Sequence, residues 1–275
     1  MHIGIVGSGS FAELLIQIWR KTHLLTVYVY DTTVSSSLQK KYPRVTFTTD
    51  MTDMIQDVIV LAIPASVLHL YKNSFNEQHV IIVSKGVTQN GKLPCDIFPK
   101  SLYLSGPMLA KSKDSSYFAT LSGPSADRIK RRIQTPHFFI QTHKASQREM
   151  QLLSICKNIC SFIIGRAEYA GISENIQAVI CTKILDNLLS KNSISQTHFF
   201  MYGGFADFLA TTLSQTSRNK QAGLVKKPKE TVESLQSIPY VQYFFTKKTA
   251  DFIKQIQKET RKTYITKLCA EYTKK

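Results

Sequence analysis

The chain has 275 residues, 43% of them hydrophobic, enough apolar surface to bury a core, so disorder is not the default expectation. Basic residues outnumber acidic ones 35 to 19, for a formal net charge of +16. No apolar run reaches the roughly 18 residues that a membrane-crossing helix needs, and the opening MHIGIVGSGS lacks the basic region and cleavage site of a secretory signal. The cysteines Cys95, Cys156, Cys160, Cys181 and Cys269 show no CxxC spacing, which argues against a disulfide framework or a structural zinc site. Cys156 and Cys160 share a helix face and read as buried thiols. The histidines form no HExxH-type cluster, so no metal is expected. Together these features point to the cytoplasm.

The basic excess lies mainly in the second half of the chain. Such an excess attracts nucleic acid, an acidic membrane surface or phosphorylated metabolites. No nucleic-acid motif accompanies it, and the basic residues are not interleaved with aromatics. It therefore reads mostly as solvated surface, and no nucleic-acid partner is expected.

In chain order, His2 to Val6 is a short apolar strand, followed by a glycine-rich turn and an amphipathic helix from Phe11 to about Lys21. A second strand, Leu25 to Tyr30, ends in Asp31. Further strands are expected at Val45–Phe47, Val58–Ile63, Val80–Val83, Leu102–Leu104, Ala119–Leu121 and Phe138–Gln141. Strands alternating with helical stretches imply a mostly parallel sheet with helices on both faces. From Ala145 the periodicity becomes helical, with Leu152, Ile155, Cys156 and Ile159 on one stripe, then an apolar helix over Ile176–Leu189. Gly203-Gly204 interrupts the pattern before another helix, 223–230 is a basic loop, and the remainder reads as surface helices. The fold class is thus α/β, a doubly wound sheet domain over 1–142, followed by an all-α C-terminal domain over 143–275.

Gly7-Ser8-Gly9-Ser10-Phe11-Ala12 fits G-x-G-x-x-G/A after a strand and at the opening of a helix, the context that a dinucleotide site requires. The first glycine permits the tight turn, the second lets the backbone approach a pyrophosphate, and the small third residue allows close helix–strand packing. The helix N-terminus favours the negative charge of the phosphates. Asp31 ends the second strand, 22 residues after Gly9, where an acid hydrogen-bonds the adenosine ribose and repels a 2′-phosphate. The same residue also suits a helix N-cap before Thr32-Thr33. The ribose role favours NAD, with NADP possible.

Eight collinear segments carry a wider resemblance: GSGSFAELL, VIVLAIPASVL, VSKGV, LSGPMLAKS, KNICSFIIG, NIQAVICTKIL, GGFADFLATTLSQTSRN and TVE. In order and spacing the chain resembles the bacterial type of NAD(P)-dependent glycerol-3-phosphate dehydrogenase. The resemblance implies a Rossmann-like first domain, a helical substrate-binding second domain, and an active site between them. It implies reversible reduction of dihydroxyacetone phosphate to sn-glycerol 3-phosphate, supplying glycerophospholipid synthesis. Two rivals are a related dehydrogenase with another small substrate and a catalytically degenerate descendant that binds a nucleotide or a partner. The resemblance is compatible with a homodimer.

By the same resemblance Lys157 is the catalytic acid/base, because an ammonium can stabilise and protonate the developing alkoxide. Without it, a lysine in an apolar helix would be read as snorkelling to solvent. Asp207 would orient that lysine or bind a substrate hydroxyl, or else cap a helix. Lys85 would lie near substrate and nicotinamide ribose, or be an ordinary loop lysine. Ser217, Arg218 and Asn219 would hold the substrate phosphate, Arg218 by its planar fork and also near the cofactor, or form a polar turn. Ser10 and Phe11 would touch the cofactor, Gly106 and Ala110 would line the site, and Glu233 would reach the nicotinamide end. Asn158 and Asn175 would fix helix contacts around the lysine. The chain departs from the family pattern in its shorter length, in Ala206, Lys183 and Ile184, and in Met108, where a hydroxyl residue is expected.

Overall fold

The computed structural model describes residues 1–224, apart from residues 76, 89–91, 109–115, 144–145 and 170. The chain divides into two compact units. The first comprises Met1–Gln151 with Met201–Gly203, and the second comprises Leu152–Phe200 and the chain from Gly204 onward.

The first unit is built on eight strands: β1 (His2–Val6), β2 (Leu24–Tyr28), β3 (Thr46–Thr48), β4 (Val58–Leu61), β5 (His79–Ile82), β6 (Leu102–Ser105), β7 (Tyr117–Ser122) and β8 (Phe138–His143). Helices α1 (Ser10–Trp19), α2 (Thr32–Lys41), α3 (Pro94–Ile97) and α4 (Ala126–Ile133) connect them. The strand order is β3-β2-β1-β4-β5-β6-β7-β8. β1 to β6 are all parallel, β7 runs antiparallel to β6, and β8 is parallel to β7. The mostly parallel sheet agrees with the sequence reading, but the reversal at β7 does not show in an apolar run, which carries no direction. Two connections are also shorter than expected: a 3₁₀ turn (Ala65–Tyr71) joins β4 to β5, and α3 has only four residues.

β1 and β4 are buried on both faces, as central strands covered on each side must be. Between them the chain order reverses, the position where open α/β sheets bind ligands beyond the strand ends. α1 packs Ala12, Leu15, Ile16 and Trp19 inward, a spacing of three to four residues that makes one stripe. Trp19 is fully buried, its indole N–H donating to the Ile133 carbonyl at 2.9 Å and its ring meeting the edge of Phe138. This ties the end of α1 to α4 and β8.

The described part of the second unit is helical. α5 (Gln147–Tyr169), whose first turns belong to the first unit, is followed by α6 (Glu174–Lys191), α7 (Gln196–Phe199), α8 (Asp207–Leu213) and α9 (Arg218–Gly223). Every residue of α5 from Met150 to Ile163 is buried, so this stretch of the helix is enclosed all round. α5 and α9 approach closely enough to require glycine: a Cβ on Gly165 would lie 2.2 Å from the Lys220 carbonyl oxygen, and one on Gly223 2.4 Å from the Phe162 oxygen. Lys220 pairs with Glu168 at 2.9 Å, and Arg166 donates to the Gly223 carbonyl at 3.2 Å. Gly165→Ala is expected to destabilise the protein by about 1–3 kcal/mol, the usual cost of overpacking. A lowered urea midpoint would show it, whereas an unchanged midpoint would mean that α9 does not rest against α5.

Candidate active site

In the first unit the residues of the glycine-rich turn meet the demands of a phosphate cradle. Gly7 follows β1 with φ +121°, a conformation that favours glycine, and a Cβ there would lie 2.5 Å from the Ala62 oxygen. Gly9 serves a different purpose. It is the N-cap of α1, makes no side-chain cap, and a Cβ on it would meet nothing within 4 Å. The backbone at the helix N-terminus therefore lies open to an approaching anion, and the residues present fit a dinucleotide pyrophosphate. Ala12 is completely buried, as close helix–strand packing requires. Phe11 and Lys85 come together, the ammonium 5.9 Å from the ring centroid, so the first turn of α1 meets the loop after β5.

Asp31 is exposed and is the N-cap of α2, its Oδ1 accepting from the Thr33 and Val34 backbone N–H groups. The capping geometry weighed in the sequence is thus present, and both bonds fall on one carboxylate oxygen. Gly106 is held by packing, because a Cβ would lie 2.3 Å from the Phe118 oxygen of β7. Met108 is buried in the apolar core of the sheet unit. Where the family pattern has a hydroxyl, this chain has core packing. Ala110 and Glu233 lie outside the described residues.

The second unit holds a buried polar cluster centred on Lys157. This side chain does not snorkel: the residue is 3% exposed, and its ammonium is ion-paired with the Asp207 carboxylate, 1% exposed. Asp207 is the first residue of α8 and not its cap, which is Ala206. A buried pair of this kind exists only if attraction and additional hydrogen bonds offset the desolvation of both charges. One turn further along α5, the Ser161 hydroxyl lies 2.9 Å from that of Ser217 and 3.3 Å from the Thr211 carbonyl. Ser217 caps α9 by accepting from the Lys220 N–H, which sets Arg218, exposed, and Asn219, buried, on the first turn. Ser161 thereby links the helix of Lys157 to the SRN triplet.

Sequence reasoning missed Ser154, Ser161 and Thr211. Ser154, Lys157 and Ser161 follow i, i+3, i+7 spacing, a polar stripe inside an otherwise apolar helix, and that was the available signal. The Ser154 and Thr211 hydroxyls are buried with no hydrogen-bond partner among the described residues, so the cluster retains polar capacity for a ligand. Asn158 is buried beside Lys157 in sequence, whereas Asn175 is exposed at the start of α6. Of the other departures, Lys183 is exposed and Ile184 is fully buried. Burial pushes the Cys160 thiol up, with contributions from Cys156 and Cys181, and pushes Cys95 up to about 11. These two are poor thiolates and poor nucleophiles.

A family model described as the NAD-dependent glycerol-3-phosphate dehydrogenase C-terminus matches residues 148–272. A glycerol-3-phosphate dehydrogenase [NAD(P)+] of Fusobacterium nucleatum is 23% identical over 271 residues, covering 82% of this chain and 78% of that one. The enzyme of the same name from a Thermoanaerobacter species is 25% identical over 294 residues, covering 94% and 88%. Residues 148–272 thus match the C-terminal model of the NAD-dependent glycerol-3-phosphate dehydrogenases, and most of the chain is similar to curated enzymes of that name. Solved glycerol-3-phosphate dehydrogenases share its fold, that of Plasmodium falciparum with a TM-score of 0.73 at 16% identity, covering 99% of this chain and 90% of that one. That of Coxiella burnetii gives 0.72 at 16% identity, with 95% and 90% covered. Among the described residues no helix is long and apolar enough to cross a membrane.

The Lys157–Asp207 pair generates a stability prediction. Lys157→Met alone strands a buried carboxylate and should cost about 3–5 kcal/mol. Lys157→Met combined with Asp207→Leu should recover most of that loss, because the orphaned charge is gone. Equal urea midpoints for the single and double variants would contradict the buried pair.

Proposed function

We propose that this chain catalyses the reversible nicotinamide-dependent reduction of dihydroxyacetone phosphate to sn-glycerol 3-phosphate. The observation that carries the reading is the buried Lys157–Asp207 pair, its lysine on the same helix as Ser161, which contacts the SRN triplet. A proton donor and a phosphate-binding triplet thus share one small unit. A reduced nicotinamide, NADH with NADPH as the alternative, supplies the hydride to the carbonyl carbon when bound. Gly7, Gly9, Ser10 and Phe11 would hold its phosphates, with Lys85, Ala110, Arg218 and Glu233 as further contacts and Asp31 at the ribose.

The substrate oxygen gains negative charge as the carbonyl carbon accepts hydride. Lys157 stabilises that oxygen and delivers a proton to it, a contribution on the order of 10²–10⁴ in rate. Asp207 orients the ammonium and offsets its charge in a buried site. A lysine carries three N–H donors and can serve a carboxylate and a substrate oxygen together. Solvent then restores the proton, which balances the reaction. Ser217, Arg218 and Asn219 bind the phosphate, with Lys85 and Gly106 as further substrate contacts. The same reading places the protein in the cytoplasm, acting on a small phosphorylated substrate, and is compatible with a homodimer.

The direct test is oxidation of NADH and NADPH with dihydroxyacetone phosphate, and no turnover with either would reject the activity. Asp31→Ser is expected to narrow a preference for NADH. A wild type that favours NADPH by tenfold or more, about 1.4 kcal/mol, would remove Asp31 from the ribose. Arg218→Lys should lower kcat as well as raise KM on the phosphorylated substrate, since phosphate binding also positions the carbonyl. Equal losses on unphosphorylated dihydroxyacetone would instead assign Arg218 a structural role.

A further inference from the structure

The sheet unit carries a second concave site, far from the glycine-rich turn. A cleft of about 730 Å³ is lined by Arg20, Lys21, Lys41 and Tyr42, and an adjoining one of about 410 Å³ adds Arg44. No aspartate or glutamate lines either. Lys21 lies just before β2, and Arg44 lies just before β3. The cleft therefore sits at the end where these parallel strands begin, whereas Gly7 follows the end of β1. One strand length, roughly 17 Å for five residues, separates the two sites.

The charge balance of this cleft favours an anion. Lys41 is offset by Glu13, whose carboxyl is held below the usual range chiefly by its hydrogen bond from Lys41. Arg20 lies 5.7 Å from the Tyr42 ring centroid, which fixes the guanidinium at the cleft without neutralising it. Arg20, Lys21 and Arg44 form no ion pair among the described residues. The C-termini of α1 and α2 bring about half a negative charge each, so roughly two positive charges remain in excess. A concave cluster of one sign concentrates counter-ions, and the volume is that of a small-ligand pocket.

We propose that this cleft binds a small ligand bearing two adjacent anionic groups, of the diphosphate or phosphate-ester class, independently of the dinucleotide site. Inorganic pyrophosphate is the probe, titrated calorimetrically into the full-length protein and into Lys21→Glu/Arg44→Glu. Neither residue belongs to the catalytic or cofactor machinery, and both are exposed, so turnover of the variant should be unchanged. Wild type should show a saturable binding event that weakens by roughly tenfold or more in the variant. Trp19, the single tryptophan, adjoins Arg20 and should report the same event by fluorescence. Lys21→Gln/Arg44→Gln, which removes charge without reversing it, should give an intermediate affinity. Identical pyrophosphate isotherms for wild type and both variants would overturn the proposal, as would equal effects of sodium chloride at matched ionic strength. Co-sedimentation with phosphatidylglycerol vesicles without binding of pyrophosphate would also overturn it, in favour of a flat surface interaction.

Discussion

The buried ion pair between Lys157 and Asp207 is the constraint around which the helical unit is organised. Two charges in a dry interior are tolerable only when held in position, and that demand reaches outward through the helices. α5 is enclosed on all sides and carries the lysine, while the aspartate is the first residue of α8. Glycines at 165 and 223 let α9 lie against α5, and Ser161 bonds to the cap of α9. A residue that would be awkward in an ordinary helix is thereby held as a buried, ion-paired ammonium, the arrangement on which the proposed proton donor rests.

The sheet unit answers a different physical problem, how to bring backbone close to phosphate. Its solution is a strand order that reverses between β1 and β4, with a glycine turn at that point. Gly7 is required by its positive φ and by the Ala62 oxygen behind it, whereas Gly9 leaves open space at the N-terminus of α1. Buried Ala12 and Trp19 hold the helix in place against the sheet. The exposed Asp31 caps α2 through one carboxylate oxygen, which leaves the other for the proposed contact to the ribose.

Much of this was legible in the sequence, because apolar runs mark buried strands and glycine spacing marks a turn. The strands were located to within a few residues, and the lysine, the aspartate and SRN were all singled out by resemblance. What was not legible depends on contacts between distant segments. The direction of β7 is set by its partner. Ser161 is an ordinary serine until Ser217, 56 residues away, is placed beside it. The cationic cleft gathers Arg20-Lys21 and Lys41 to Arg44 from the ends of two helices, and along the chain these look like the usual basic residues of helix C-termini.

The central claim is that the buried ammonium does chemistry and does not merely hold the fold. The most direct measurement is the single-turnover rate of dinucleotide oxidation in Lys157→Met/Asp207→Leu with dihydroxyacetone phosphate. That variant removes both charges without stranding either, which separates chemistry from stability. The rate should fall by roughly a hundredfold or more, with dinucleotide affinity close to wild type. A folded double variant that keeps a rate within a few-fold of wild type would contradict the account.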